Sequence, residues 1–448
     1  METFAFVADK CNITGAARLA NVFSVVQSGI WVIHLMVSIS AVPRALVPVD
    51  SHAADQISAP NYDEFQSDQE VYDLLQSRPE CVLRVTMAHC AVDDFQDCLK
   101  DGSPEALGKA SSHMEELIAS SHTRIAQNVL WVYEVVSPKR PNVRQLGLGG
   151  LARTQEIRTE QNPTGVIIRN EGIRPEKAEG RAKLIQSTNA YIGTVNCAVQ
   201  DSRRRLTTAL ESYTEEFDPS FKTIDEAGNT HRVWLVDDGE TSEDFRSLLA
   251  DEPFAYVADG NHRSAAAAAL GHDHFLAVFF TTQRMRLEPY NRLVEDVGLP
   301  IDEIIQQLNS SFEVETIGDQ KTFRPANVHE IGFYANGQWL SLTPRPETFD
   351  PNNAAESIDA DIIQRHLFDA ILGIADPRDK RLNFVGGNKD SAYLKARVDS
   401  GEYAFALSLA PVTIQQFVGV CEQDRFMPPK STWFDPKIRS GLVTVLLD

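Results

Sequence analysis

Apolar and polar residues follow two rhythms along this chain, and each rhythm predicts its own element. Continuous apolar runs, VLWVYEVV (129–136) and HFLAVFFTT (274–282), predict buried strands. THRVWLVDD (230–238) alternates β-branched with polar residues and predicts another. ECVLRVTMA (80–88), TGVIIRNEG (164–172), VNCAVQD (195–201) and FAYVAD (254–259) read the same way. Helices are predicted for EVYDLLQSR (70–78) and for 103–126, which opens on Ser-Pro-Glu and carries Leu107, Leu117 and Ile118. Residues 174–192 hold Glu with Lys and Arg at helical spacing, and a further helix is expected near 203–213. SEDFRSLLA (242–250) predicts a short helix with Ser242 as its N-cap. Residues 41–60, rich in Pro and Val, read as extended, and the loosely spaced glycines of PNVRQLGLGGLART (141–154) read as a loop rather than a phosphate cradle.

Strands and helices alternate, which predicts an α/β or α+β class with a mixed sheet and flanking helices. Beyond 296, helices at 301–310 and 358–373 and the strands WLSLTP and AFALSLA predict a C-terminal lobe. The expected division is an extension at 1–40, a core at 41–295 and the lobe at 296–448. At 448 residues the chain exceeds one ordinary core, which agrees with more than one domain.

Charge narrows the partners. Forty-two Lys+Arg against 63 Asp+Glu give a net charge of −21. Such a surface repels nucleic-acid backbones, so a small-molecule substrate is expected and general nucleic-acid binding is not. The six cysteines form no C-x-x-C and no spaced Cys/His set of the zinc kind. Reduced, mostly buried thiols in a cytoplasmic protein are the expectation. Residues 22–42 approach the length of a membrane span, but Gln27, His34 and several serines dilute it. Lys10 and Arg18 precede that segment, as in a signal peptide or anchor. The favoured reading is an upstream extension with the true start at Met36, and no membrane association is expected for 41–448.

The chemistry concentrates in FAYVADGNHRSAAAAAL (254–270). A strand ends at Asp259, Gly260 permits a sharp turn, and an alanine-rich helix follows with Gly271 beyond its end. Residues 259–263 therefore sit at a helix N-terminus, where free amides and the helix dipole attract anions. Arg263 adds a bidentate fork, and His262 donates to phosphate or moves a proton. Asp259 holds Mg²⁺ or a substrate donor. The plainer alternative has Asp259 capping the helix and Arg263 in an ordinary ion pair.

The strand, Ala-Asp-Gly-x-His-Arg turn and alanine helix together resemble the domain of unknown function 1015 family, whose usual form is A-D-G-H-H-R. ISAPNYDEF (57–65) resembles its A-P-P-Y-D segment, and RNEGIRPEKAEGR (169–181) its R-H-E-x-T…R segment. MPPKSTWFDPKIRSG (427–441) is similar, almost letter for letter, to its C-terminal motif. Asn261 and Asn170 replace family histidines, so two proton carriers are missing while hydrogen bonding is kept. The family is distantly similar to the ParB/sulfiredoxin superfamily, some of whose members phosphorylate free L-serine. The resemblance implies a ParB/sulfiredoxin-like core that binds nucleotide phosphates with Gly260, Asn261, His262 and Arg263. It further implies phosphoryl transfer from a nucleotide (ATP or ADP) with Mg²⁺ on Asp259.

Remaining candidates each carry two readings. Glu171 is a general base or a solvated carboxylate, with Arg169 and Arg181 flanking it. Tyr62 and Asp63 touch substrate at a pocket rim or form a simple turn. Lys430, Ser431, Thr432 and Lys437 form an anion site, or a surface loop anchored by Trp433 and Phe434. Arg292 lines the pocket or pairs with a carboxylate, while His52, His89, His231, His272 and His274 are expected to be surface or structural. Catalysis is assigned to Glu171, Asp259 and His262, and substrate contact to Tyr62, Asp63 and Arg169. A phosphotransferase leads. A non-catalytic nucleotide sensor and a phosphatase or other hydrolase are the competing classes.

Overall fold

Branched and aromatic runs build two separate sheets in this protein. The computed structural model describes residues 23–27, 30–34, 36–65, 67–295, 297–377, 379–387, 389–435 and 437–447. The chain forms two compact units. One comprises residues up to Ile168, Ile173–Arg284 and the segment from Lys437 onward; the other comprises Arg169–Gly172 and Met285–Pro436.

The first unit holds a twelve-stranded mixed sheet. Its path runs Ile167–Arg169, Ala255–Asp259, Val195–Val199, His274–Thr281, Arg144–Arg153, Thr123–Val136, Val42–Pro48, Thr444–Leu446 and Ala190–Tyr191. Val195–Val199 lies parallel to His274–Thr281 and antiparallel to Ala255–Asp259. Thr123–Val136 is long enough to pair with Val42–Pro48, Arg144–Arg153 and Thr230–Asp237. Helices Pro104–Ala119, Pro175–Thr188, Arg205–Glu216, Glu240–Ala250 and Asn261–Ala269 complete the α/β architecture.

Four local expectations are corrected. Residues 80–88 form helical turns, Leu83–Thr86 and Ala88–Cys90, not a strand. Val82, Leu83 and Val85 bury against Met114 and Leu117, and a short apolar run does not distinguish strand from helix. The glycine-rich stretch is the strand Arg144–Arg153, not a loop. There a Cβ on Gly149 would strike the Trp131 ring, and one on Gly147 would lie 2.9 Å from Phe280, so both glycines make room for aromatic rings. The 41–60 segment is not uniformly extended: Val42–Pro48 is a strand, and Asp50 then caps the helix Ser51–Ile57. Ser242 is not an N-cap but sits inside Glu240–Ala250, where its hydroxyl accepts from the Gly239 amide at 2.9 Å.

The second unit is built on a six-stranded antiparallel sheet in the order Phe312–Gly318, Gln338–Pro344, Ile331–Ala335, Phe405–Ser408, Asn291–Val294 and Leu382–Val385. Tyr334, Trp339, Leu293 and Leu394 fill its core. The helix expected over 358–373 is Asp359–Ile363 continued by a π-turn, Gln364–Asp369.

Of the 1–40 extension, residues 1–22, 28, 29 and 35 lie outside the described residues. Phe23–Gln27 and Ile30–His34 pair as an antiparallel hairpin. Among the described residues, no helix is long and apolar enough to cross a membrane.

Candidate functional site

The strand Ala255–Asp259 ends where Gly260 takes φ +102°, a conformation that L side chains rarely adopt. Gly260 is the N-cap of Asn261–Ala269, and its carbonyl accepts the amides of Arg263 and Ser264. The predicted strand–turn–helix is therefore present, with the helix start at the end of a sheet strand.

Around this turn the charges are arranged tightly. One oxygen of Asp259 lies 3.2 Å from Arg263 Nη2 and 3.4 Å from Lys437 Nζ. All three side chains are largely buried, at 15%, 7% and 14% exposure. The Arg263 fork turns inward: Nη1 donates to the Thr194 carbonyl. Glycines flank it on two sides. A Cβ on Gly193 would come within 2.9 Å of Arg263 Cδ, and one on Gly260 within 3.0 Å of its Nε. Arg263 thus braces the turn from inside, and Lys437 supplies the second cation.

His262 has a specific task. Its Nε2 accepts the Arg174 amide at 3.1 Å, just before the helix Pro175–Thr188. A nitrogen that accepts carries no proton, so this geometry assigns the proton to Nδ1.

Beside the turn, Tyr62, Arg181, Gly193, Arg263 and Ser440 line a cavity of about 50 Å³, room for a few waters. The Arg181 guanidinium stacks 3.3 Å above the centre of the Tyr62 ring. Tyr62 and Arg263, far apart in sequence, thus meet in one cavity. Asp63 belongs to the same turn, Tyr62–Glu64, but its side chain lies outside the described residues.

The second unit carries the other candidates. Asn170 O accepts the Met427 amide at 3.0 Å, and Glu171 forms a parallel bridge with Met427. Arg169 is half-buried with its Nε shielded from solvent, and burial lowers its pKa. Lys430 adopts φ +58°; its Nζ lies 5.3 Å from the centre of the Tyr290 ring and donates to the Tyr290 hydroxyl at 3.3 Å. Ser431 is buried and donates to the Pro428 carbonyl at 2.7 Å, while Thr432 is half-buried. Trp433 and Phe434 pair with Leu287–Glu288 and pack on Tyr290 and Phe417, as packing anchors do. Arg292 makes no ion pair among the described residues. It is buried on Phe384, and it donates to the carbonyls of Tyr290 and Lys430. Burial pushes its pKa down to about 9.

One residue at the turn escaped the sequence reading. Asn196 is the register partner of Asp259 on the neighbouring strand, is 4% exposed, and its Oδ1 has no hydrogen-bond partner among the described residues. Cross-strand partners share a face, so an orphaned oxygen stands beside a carboxylate. These are oxygen donors of the kind Mg²⁺ takes, but an Asp259 oxygen already faces Arg263 and Lys437, so an ion there would have to displace one of those cations. Nothing in VNCAVQD marks this position; only the strand register does.

Residues 42–367 match the model of a family described as protein of unknown function (DUF1015). The chain belongs to this family. The Asp-Gly-x-His-Arg turn lies inside the matched residues, and the motif at 427–441 lies beyond them. Among solved structures, the family member is similar to a free serine kinase in complex with AMP, with a TM-score of 0.35 and 9% identity over 62% of this chain and 89% of that one. It is similar also to a conserved hypothetical protein from Pyrococcus furiosus (TM-score 0.34, 12% identity, 62% and 92%). A third is SbnI with C-terminal truncation from Staphylococcus aureus (TM-score 0.35, 9% identity, 66% and 87%). No curated protein matches.

Proposed function

We propose that this DUF1015 protein is a nucleotide-dependent phosphotransferase acting on a small hydroxylated metabolite, with a core of the ParB/sulfiredoxin-like kind. One observation carries the reading: a glycine at φ +102° opens a helix beside a carboxylate that faces both Arg263 and Lys437. A helix start of this kind favours an anion, and Lys437 adds a full positive charge to it.

In this reading the phosphates of ATP or ADP seat on the turn at Gly260, Asn261 and His262, with Lys437 countering charge that develops on the transferred group. Asp259 and Asn196 would hold Mg²⁺, which would neutralise phosphate charge there. The acceptor would sit at the mouth of the cavity lined by Tyr62, Arg181 and Arg263, which must widen to admit more than a few waters. A guanidinium stacked on an aromatic ring suits a carboxylate, so a hydroxy amino acid fits and free serine is the first to test. The acceptor hydroxyl oxygen would form a bond to the terminal phosphorus while the bond from that phosphorus to its bridging oxygen breaks; the shortened nucleotide leaves with that oxygen and its electron pair, and the hydroxyl proton passes to solvent.

The His262 geometry favours a second reading, a nucleotide sensor without chemistry, because Nε2 is already occupied by the Arg174 amide. Turnover of ATP and ADP with a panel of hydroxy amino acids separates the readings. Acceptor-dependent phosphoryl transfer that collapses in Lys437→Ala supports the enzyme. Tight binding by calorimetry without turnover supports the sensor. Phosphate release that ignores the acceptor makes the protein a hydrolase.

A further inference from the structure

Along the sequence the cysteines look scattered, and His89 looks unaccompanied. Folding changes this. The helix Asp68–Ser77, the turns Ala88–Cys90 and Phe95–Asp97, and the loop before Pro104–Ala119 converge in the first unit. There a carboxylate oxygen of Asp68, a ring nitrogen of His89 and the sulfur of Cys90 all lie within 4.8 Å of one another. Cys98 stands outside that group; its thiol shares a hydrogen bond with Cys90, so it would supply a second sulfur once its side chain turns toward the ion.

We infer that Asp68, His89, Cys90 and Cys98 form a zinc site, with Asp101 positioning the imidazole. Ligand identity comes first. Two sulfurs, an imidazole and a carboxylate suit a tetrahedral Zn²⁺ far better than Mg²⁺ or Ca²⁺. Spacing comes second. Zn–N and Zn–O bonds of about 2.0–2.1 Å set tetrahedral neighbours roughly 3.3 Å apart, and His89 Nε2 lies 3.4 Å from Asp68 Oδ1. The ring's other nitrogen is the third point. Nδ1 lies 3.6 Å from Asp101 Oδ1, longer than a hydrogen bond, and a small approach on metal binding would make Asp101 the outer carboxylate that fixes the tautomer of a zinc-bound histidine. Burial supplies the fourth. His89 and Cys90 are closed off, while Asp68 and Asp101 are 57% and 67% exposed, so an ion has a route in from the carboxylate side.

Without metal, burial pushes the Cys90 thiol up to about 12, and the nearby Asp68, Cys98 and Asp101 add to the shift. Zn²⁺ would bind as each thiol loses its proton to solvent. The ion would staple the start of the helix Asp68–Ser77 to the short turns Ala88–Cys90 and Phe95–Asp97. This inference is independent of the phosphotransferase reading, and none of its measurements uses turnover.

The test is metal titration of the full chain after chelator treatment, followed by Co²⁺ substitution. The expected result is one equivalent of Zn²⁺ and a cobalt spectrum with thiolate charge-transfer and tetrahedral bands. Cys90→Ser and Cys98→Ser should each weaken those charge-transfer bands, and Asp101→Asn should weaken metal affinity about 10–100-fold. Asp68→Asn and Asp101→Asn alter exposed carboxylates, so they report even if Cys90→Ser fails to fold. No bound metal overturns the inference, as does unchanged affinity in both carboxylate variants. So does a Cys90–Cys98 disulfide in zinc-loaded, unreduced protein by mass spectrometry.

Discussion

Lys437 reaches a largely buried carboxylate, and Lys430 lies over an aromatic ring. Both belong to the stretch MPPKSTWFDPK, yet the chain assigns them to different units. Around Lys437, three charged side chains at 15% exposure or less share one turn, so electrostatics there is strong and every partner matters. Around Lys430 the ammonium meets a soft π-face and a hydroxyl, contacts that orient the lysine. A motif read as one anion site is thus two settings with different energies.

The sharpest way to break this comparison is Arg263→Met. It leaves Asp259 with one cation in place of two and empties the groove between Gly193 and Gly260. A loss of about 3–5 kcal/mol in denaturant unfolding is expected. A loss below about 1 kcal/mol would show that the turn does not depend on its internal cation. Lys437→Ala comes next: phosphoryl transfer is expected to fall about 100-fold, read as kcat/KM.

A control for charge compensation lies in the same unit. Glu156 is 2% exposed and accepts from the Ser38 amide and hydroxyl, with no ion pair among the described residues. Burial raises its pKa to about 7, although Ser38 and Arg153 pull the other way. The folded protein therefore holds a proton that the unfolded chain releases near the ordinary carboxyl value. Stability falls as pH rises through that window and is lowest above about pH 7. Glu156→Gln should match the wild type near pH 4 and exceed it by about 2 kcal/mol at pH 8, measured by thermal melts. Equal melts at both pH values would contradict it.

Gly260→Ala forces a Cβ into the left-handed region, close to Arg263, and should cost about 1–2 kcal/mol. The smallest effect belongs to Lys430→Ala. It loses the cation–π contact and the long hydrogen bond to the Tyr290 hydroxyl, about 0.5–1 kcal/mol by chemical denaturation. A Lys430 effect larger than that of Arg263 would reverse the contrast.

How much of this was legible depends on which physics each residue obeys. FAYVADGNHR announced its strand, glycine turn and helix because local rules suffice there: an apolar run, a residue free to take positive φ, then alanines. Residues 80–88 and 144–153 misled because their state is settled by distant partners. Val82 and Leu83 wait for Met114 and Leu117, and Gly149 waits for Trp131. The site was half legible. Asp259, Arg263 and Lys437 carried their chemistry in their letters, although the inward turn of Arg263 did not show. Asn196 was silent, since an asparagine in a strand means nothing until register sets it beside Asp259. Asp68, His89 and Cys98 stand on different local elements, and no spacing rule joins them.

The strand Thr444–Leu446 lies between Val42–Pro48 and Ala190–Tyr191, with Thr444 opposite Leu46. Seen from the ribosome, this pairing is a delay. Leu46 emerges roughly 400 residues before its partner, about 20–80 s earlier at ordinary synthesis speeds. During that interval one flank of Val42–Pro48 is an open edge, available to other nascent chains. Vectorial synthesis therefore asks this protein to keep the strand Val42–Pro48 guarded until residues 444–446 arrive.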